Sequence, residues 1–182
     1  MRIKRFEFEN LQQQWKLLPT TFDQLTLLVG ASGVGKTQIL RAIAALKLIS
    51  QGNVLNGVSW SIEFDTSEGE ALIWEGRFGY NHGFDHNTFV KRFENQAPVP
   101  QILEERIMHR GKQLIIRDST GDYLGDQPFN IRLNREQSLV AQLDQEVTRS
   151  IRRSFSSIIP SSHDAELHNE DHGLHALLDL KK

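Results

Sequence analysis

The alternation of apolar and polar residues along the chain outlines most of its elements. Ile3, Phe6 and Phe8 lie within Arg-Ile-Lys-Arg-Phe-Glu-Phe-Glu, which predicts a strand over residues 2–9. Residues 10–21, with Gln12-Gln13-Gln14 and Pro19, read as a connection. Leu25-Thr26-Leu27-Leu28-Val29 is a short apolar run with the length of a buried strand. Ile39, Leu40, Ile43, Leu46 and Ile49 then recur at helical spacing, and Gln51-Gly52-Asn53 supplies the expected stop. Val58, Trp60, Ile62 and Phe64 alternate with Ser59, Ser61 and Glu63, and Leu72, Trp74 and Phe78 alternate again beyond the turn residues Thr66-Ser67-Glu68-Gly69. Together they predict a β-hairpin. A second hairpin is expected from 102–108 and 113–117 around Arg110-Gly111-Lys112. Short strands are expected at 89–93 and about 129–133, so the middle of the chain reads as an antiparallel meander.

Leu139, Leu143, Val147, Ile151 and Phe155 are spaced by four, which predicts one amphipathic helix over about 135–157. Asn134 would cap it, with Gln137 three residues on as the capping-box partner. After Pro160 the character changes. Residues 161–182 are acidic and rich in histidine, and read as a polar tail with little to anchor it in the core of residues 1–160.

Composition narrows the class. With 38% apolar and 24% charged residues, the 182-residue chain has the makings of one globular domain with a core. Its net charge of −2 exerts no global pull on nucleic acid. It has no cysteine, hence no disulfide or thiolate metal site. No apolar run reaches the length of a membrane span and Met-Arg-Ile-Lys-Arg lacks a signal-peptide core, so a cytoplasmic location is expected.

The strongest chemical signal sits between the predicted strand and helix at 25–49. Gly30-Ala31-Ser32-Gly33-Val34-Gly35-Lys36-Thr37 is G-x-x-x-x-G-K-T, the phosphate-binding loop, with Gln38 following. Glycines let the backbone curl its N–H groups toward a β-phosphate, and the helix opening near Gly35 adds free N–H groups and the positive end of its dipole. Lys36 would bridge β- and γ-phosphates, and Thr37 would ligate Mg²⁺. The expected ligands are ATP and Mg²⁺ at residues 30–38.

Weaker constellations have plainer readings. His82, Asp85 and His86 are a conceivable metal set but fit a polar loop. His168, His172 and His175 would share one side of a helix as Zn²⁺ or Ni²⁺ ligands, yet no carboxylate or cysteine framework accompanies them. Arg149, Arg152 and Arg153 could hold phosphate or a nucleic-acid backbone, but also suit the negative end of their helix. Asp118-Ser119-Thr120-Gly121 matches the D-x-x-G of GTPases. It lies about 80 residues past the phosphate loop with no guanine-reading Asn-Lys-x-Asp, and turn chemistry explains it. A small-molecule kinase would rest on the three arginines alone.

The opening strand Arg-Ile-Lys-Arg-Phe-Glu-Phe-Glu-Asn, the phosphate loop about 20 residues later, the helix Thr37-Gln38-Ile39-Leu40-Arg41-Ala42-Ile43 and the antiparallel layer after it resemble the ABC-type AAA ATPases. That group includes SMC, RecF and OLD proteins and many bacterial anti-phage ATPases. Ile102–Glu105, Gly111, Arg117 and Asn134-Arg135-Glu136-Gln137-Ser138 extend the resemblance over about residues 1–160, as an N-terminal lobe. The resemblance implies an α/β P-loop fold and a head-to-head ATP sandwich. It also implies a homodimer or a second chain supplying the C-terminal lobe, and work on DNA ends or with a nuclease partner.

The chain departs from that pattern in three places. Ser32 stands where the family loop has Asn and Thr37 where it has Ser. Leu11-Gln12 replaces the basic residue that often follows the opening Asn. Most importantly, the family's C-terminal lobe carries a Leu-Ser-Gly-Gly-like signature, a Walker B strand ending Asp-Glu and a switch histidine, and no signature motif or four-apolar strand ending in Asp-Glu is found. The nearest Walker B stand-ins are Leu72-Ile73-Trp74-Glu75 and Leu114-Ile115-Ile116-Arg117-Asp118, the second interrupted by Arg117. The chain therefore reads as the ATP-binding half of an ATPase that needs a partner to hydrolyse. The alternative is a non-enzymatic nucleotide-binding or interaction module.

Overall fold

A computed structural model describes residues 1–24, 26, 35–82, 98–129 and 132–158. It is a mixed α/β structure built on one eight-stranded sheet in which every neighbouring pair is antiparallel. The strands are β1 (Arg2–Asn10), β2 (Trp15–Thr21), β3 (Val58–Asp65), β4 (Ala71–Phe78), β5 (Ile102–His109), β6 (Lys112–Arg117), β7 (Asp122–Leu124) and β8 (Gln127–Pro128). Their order is β2-β1-β3-β4-β5-β6-β7-β8. The described helices are α1 (Lys36–Ser50), α2 (Leu139–Gln142) and α3 (Glu146–Ser156).

The strict alternation of β3 translates directly into burial. Val58, Trp60, Ile62 and Phe64 face inward, while Ser59, Ser61 and Glu63 are half-buried on the other side. Phe6 and Phe8 on β1, Leu72, Trp74 and Phe78 on β4, and Ile107 and Ile115 beyond them extend the same inner face. The helices close over it with Ala42, Leu46 and Ile49 from α1, Leu139 and Val140 from α2, and Ile151 and Phe155 from α3. Trp60–Trp74, Trp74–Phe155 and Phe64–Phe155 meet edge to face at 5.4 Å between ring centroids, an arrangement that aromatic quadrupoles favour.

Gly76 interrupts the inner row of β4 because its cross-strand partner is Trp60. A Cβ on Gly76 would lie 2.5 Å from the Trp60 ring. The indole cannot yield, since it packs on Trp74 and Phe78. Gly76→Ala should therefore cost about 1–3 kcal/mol through overpacking. Urea unfolding of the two proteins checks it, and an unchanged midpoint would refute the close approach.

Both predicted hairpins are present, as is the first strand. Several expectations need correction. Residues 15–21 form β2 rather than a connection, and Pro19 is tolerated because β2 lies at the edge of the described sheet, with β1 as its one partner among the described residues. The strand expected at about 129–133 is replaced by the small β7–β8 ladder at 122–128; Phe129 and residues 132–133 are not in a strand. The single helix over 135–157 is broken at Leu143-Asp144-Gln145, where Leu143 and Gln145 are extended. Side chains of α3 satisfy the carbonyls the break exposes. Arg152 donates to Val140 and, at 2.8 Å, to Leu143, and Thr148 Oγ1 donates to the Leu143 carbonyl at 2.7 Å. Asn134 caps no helix. Ser138 caps α2 through the Val140 N–H, and Gln145 forms a capping box with Thr148 on α3. The strand expected at 25–29, apart from Thr26, and that at 89–93 lie outside the described residues. Thr26 is not in a strand, and its hydroxyl accepts from the Asp23 N–H at 3.1 Å.

Candidate functional site

Of the phosphate-loop residues, Gly30, Ala31, Ser32, Gly33 and Val34 lie outside the described residues, and Gly35, Lys36, Thr37 and Gln38 are described. Gly35 holds the N-cap position of α1 with φ 92° and ψ 6°, in the left-handed region open to glycine at little cost. Its carbonyl accepts the first helical bond, from Ile39 N–H at 3.2 Å. Lys36, Thr37 and Gln38 form the first turn and are half-buried. This turn differs from those of the other two described helices. Gly35 has no side chain to cap it and no acidic residue lies in it, whereas Ser138 caps α2, and in α3 the Thr148 hydroxyl accepts from the Gln145 N–H and Glu146 lies in the first turn. The indole nitrogen of Trp15, on β2, lies 3.8 Å from where a Cβ on Gly35 would stand, so the start of α1 sits against the sheet edge.

The Walker B stand-ins are committed elsewhere. Glu75 pairs with Ser61 and Arg106 across the sheet, on the face away from the helices. There it lines a cleft of about 230 Å³ with Glu7, Ser61, Arg77, Glu104 and Arg106. Arg106–Glu75 and Arg77–Glu104 contacts of 3.5 and 2.8 Å cross this cleft. Asp118 closes its own turn, accepting from Thr120 Oγ1, Thr120 N and Gly121 N. The Thr120 hydroxyl, foremost among these donors, holds the Asp118 carboxyl below its ordinary range. The D-x-x-G match is thus a side-chain-closed β-turn between β6 and β7.

The three arginines of α3 are each paired with a carboxylate of the same chain. Arg149 and Arg152 lie 3.1 and 3.5 Å from the Asp144 carboxylate, and Arg153 lies 2.7 Å from Glu68. Of the first histidine set only His82 is described, its ring edge-on to Tyr80; Asp85, His86, His168, His172 and His175 lie outside. Among the described residues no group of three histidine or acidic side chains could hold a metal ion.

One buried ionic group escaped the sequence reading. Glu105 and Arg117 are directly paired across β5–β6 and both are fully buried on the inner face. Glu105 accepts from Trp74 Nε1 at 2.9 Å, from Leu139 N at 2.7 Å and from the Ser138 hydroxyl. Arg117 donates to both Asp122 oxygens, at 2.8 and 3.2 Å, and to the carbonyls of Gln137 and Asn134. Burial outweighs these donors and the neighbouring guanidinium, and pushes the Glu105 carboxyl above its ordinary range. With no exposed surface, the pair fastens residues 134–139 to the sheet rather than meeting a substrate. The available signal was charge at positions where both strand patterns require apolar residues.

Comparison with known proteins finds no matching family model, no matching curated protein and no matching solved structure. Among the described residues, no helix is long and apolar enough to cross a membrane.

Proposed function

We propose that this chain binds ATP with Mg²⁺ through residues 30–38, as the N-terminal lobe of an ABC-type AAA ATPase. The observation that carries the reading is the G-x-x-x-x-G-K-T sequence ending at the uncapped start of a fifteen-residue helix. Lys36 would neutralise phosphate charge, Thr37 would offer its hydroxyl to the metal, and the first-turn N–H groups would meet phosphate oxygens. An antiparallel layer following the loop helix is in keeping with the resemblance. Action in DNA repair or phage defence, with a homodimer or second chain completing the site, belongs to the same proposal.

Binding should outrun catalysis. Hydrolysis also needs a group to orient water and charge to stabilise the transition state. Glu75 and Asp118, the carboxylates that resembled a Walker B residue, are engaged in the contacts described above. The purified chain is therefore expected to show an ATP- and Mg²⁺-dependent rise in melting temperature. GTP should do no better, and phosphate release should stay near background until a chain with the missing lobe is added. Robust turnover without a partner would defeat the half-ATPase reading, and absence of any thermal shift would defeat nucleotide binding itself.

A further inference from the structure

Helix α1 carries two apolar sides. Ala42, Leu46 and Ile49 face the sheet. On the opposite side Leu40, Ala44 and Leu48, four apart, form a second stripe. None of the three belongs to the core cluster or its partly buried surround; Leu40 is 49% exposed, and Ala44 and Leu48 are half-buried. A helix apolar on both sides is built to be covered on both. Helical spacing puts Lys36 and Lys47 along one margin of the outer stripe and Arg41 along the other, and α1 contains no carboxylate. The stripe thus suits a partner that is both apolar and acidic.

The geometry points to residues 161–182 of the same chain as that partner. The last described residue, Ile158, is fastened to α1 itself. Lys47 Nζ donates to the Ile158 carbonyl at 2.7 Å and lies 3.4 Å from the Ser156 carbonyl. The described chain therefore ends at the Lys47 side chain, on one margin of the outer stripe. Its sequence carries Asp164, Glu166, Glu170, Asp171 and Asp179 against only Lys181 and Lys182. Leu174, Leu177 and Leu178, three and four apart, would form one apolar side in a helical conformation. From Lys47 back to Lys36 is about 17 Å at 1.5 Å per residue, well within the tail's reach. Composition alone marks the tail as solvated; the outer face of α1 offers its leucines and carboxylates a matching surface. This docking does not depend on nucleotide.

The absence of cysteine permits a direct test. Ala44→Cys/Ala176→Cys and a control, Ser61→Cys/Ala176→Cys, are treated with a short bismaleimide at low protein concentration. Ser61 lies on the opposite face of the sheet, so both pairs share the tether but only the first shares the proposed contact. The first pair should cross-link within one chain about tenfold more than the control. That excess should vanish when Leu174, Leu177 and Leu178 become serine and shrink in high salt. Equal yields for the two pairs would overturn the proposal, as would an excess unaffected by the serine substitutions. Cross-linking confined to dimers and growing with concentration would assign the stripe to a second copy instead, and equally overturn it. Circular dichroism confirms folding, with Leu40→Cys replacing Ala44→Cys should that variant not fold.

Discussion

Lys36→Ala is expected to weaken ATP binding by roughly 10–100-fold or more while leaving the domain folded. The loss corresponds to about 1.5–3 kcal/mol for hydrogen bonds made by a charged donor. The fold should survive because Lys36 is the first residue of α1 and lies outside the core cluster, and alanine is the best helix former. Titration with a fluorescent nucleotide, alongside circular dichroism of both proteins, separates the two effects. Equal affinity would remove the phosphate loop from the functional account. A variant that fails to fold would show Lys36 to be a structural residue.

The largest effect on stability is expected at Glu105. Glu105→Ala leaves the Trp74 indole N–H, the Ser138 hydroxyl and the Leu139 N–H without their buried acceptor, and removes a carboxylate facing Arg117. Each buried donor left without its acceptor typically costs about 1–3 kcal/mol, so with three of them a large drop in urea midpoint should follow. Glu105→Gln keeps the volume and one acceptor oxygen and should cost less.

The raised pKa of Glu105 makes the comparison pH-dependent. The folded protein holds this proton more tightly than the unfolded chain does. As pH rises from the ordinary carboxylate range through the raised folded value, the unfolded state ionises first and the wild type loses stability. Glu105→Gln has no such proton, so its deficit relative to wild type should shrink with rising pH. Taking the difference between the two proteins cancels Asp118 and Glu68, whose lowered pKa values act in the opposite sense. Parallel pH profiles would show that Glu105 keeps an ordinary pKa.

The local elements were legible in the sequence wherever one face of an element is buried throughout. Val58 to Phe64 and Leu72 to Phe78 declare their period of two, and the hairpin between them follows from the turn residues at 66–69. The helical spacing of Ile39 to Ile49 likewise defines α1, and the G-x-x-x-x-G-K-T motif marks where it starts. These patterns are local because each residue's burial is set by the geometry of its own element.

What the tertiary structure decided depends on partners distant in the chain. Residues 15–21 become a strand because β1 offers them an edge. The four-residue spacing from Leu139 to Phe155 is equally compatible with one helix or two. The break at 143–145 is chosen by Arg152 and Thr148 reaching back to its carbonyls. Glu105 and Arg117, twelve residues apart, look like surface charges until the β5–β6 register sets them side by side facing the core. There Asp122, Ser138 and the 134–139 backbone supply the bonds that make burial tolerable. A sequence pattern records which side chains want to leave water; which buried polar groups find one another is settled only when strands pair and helices close over them.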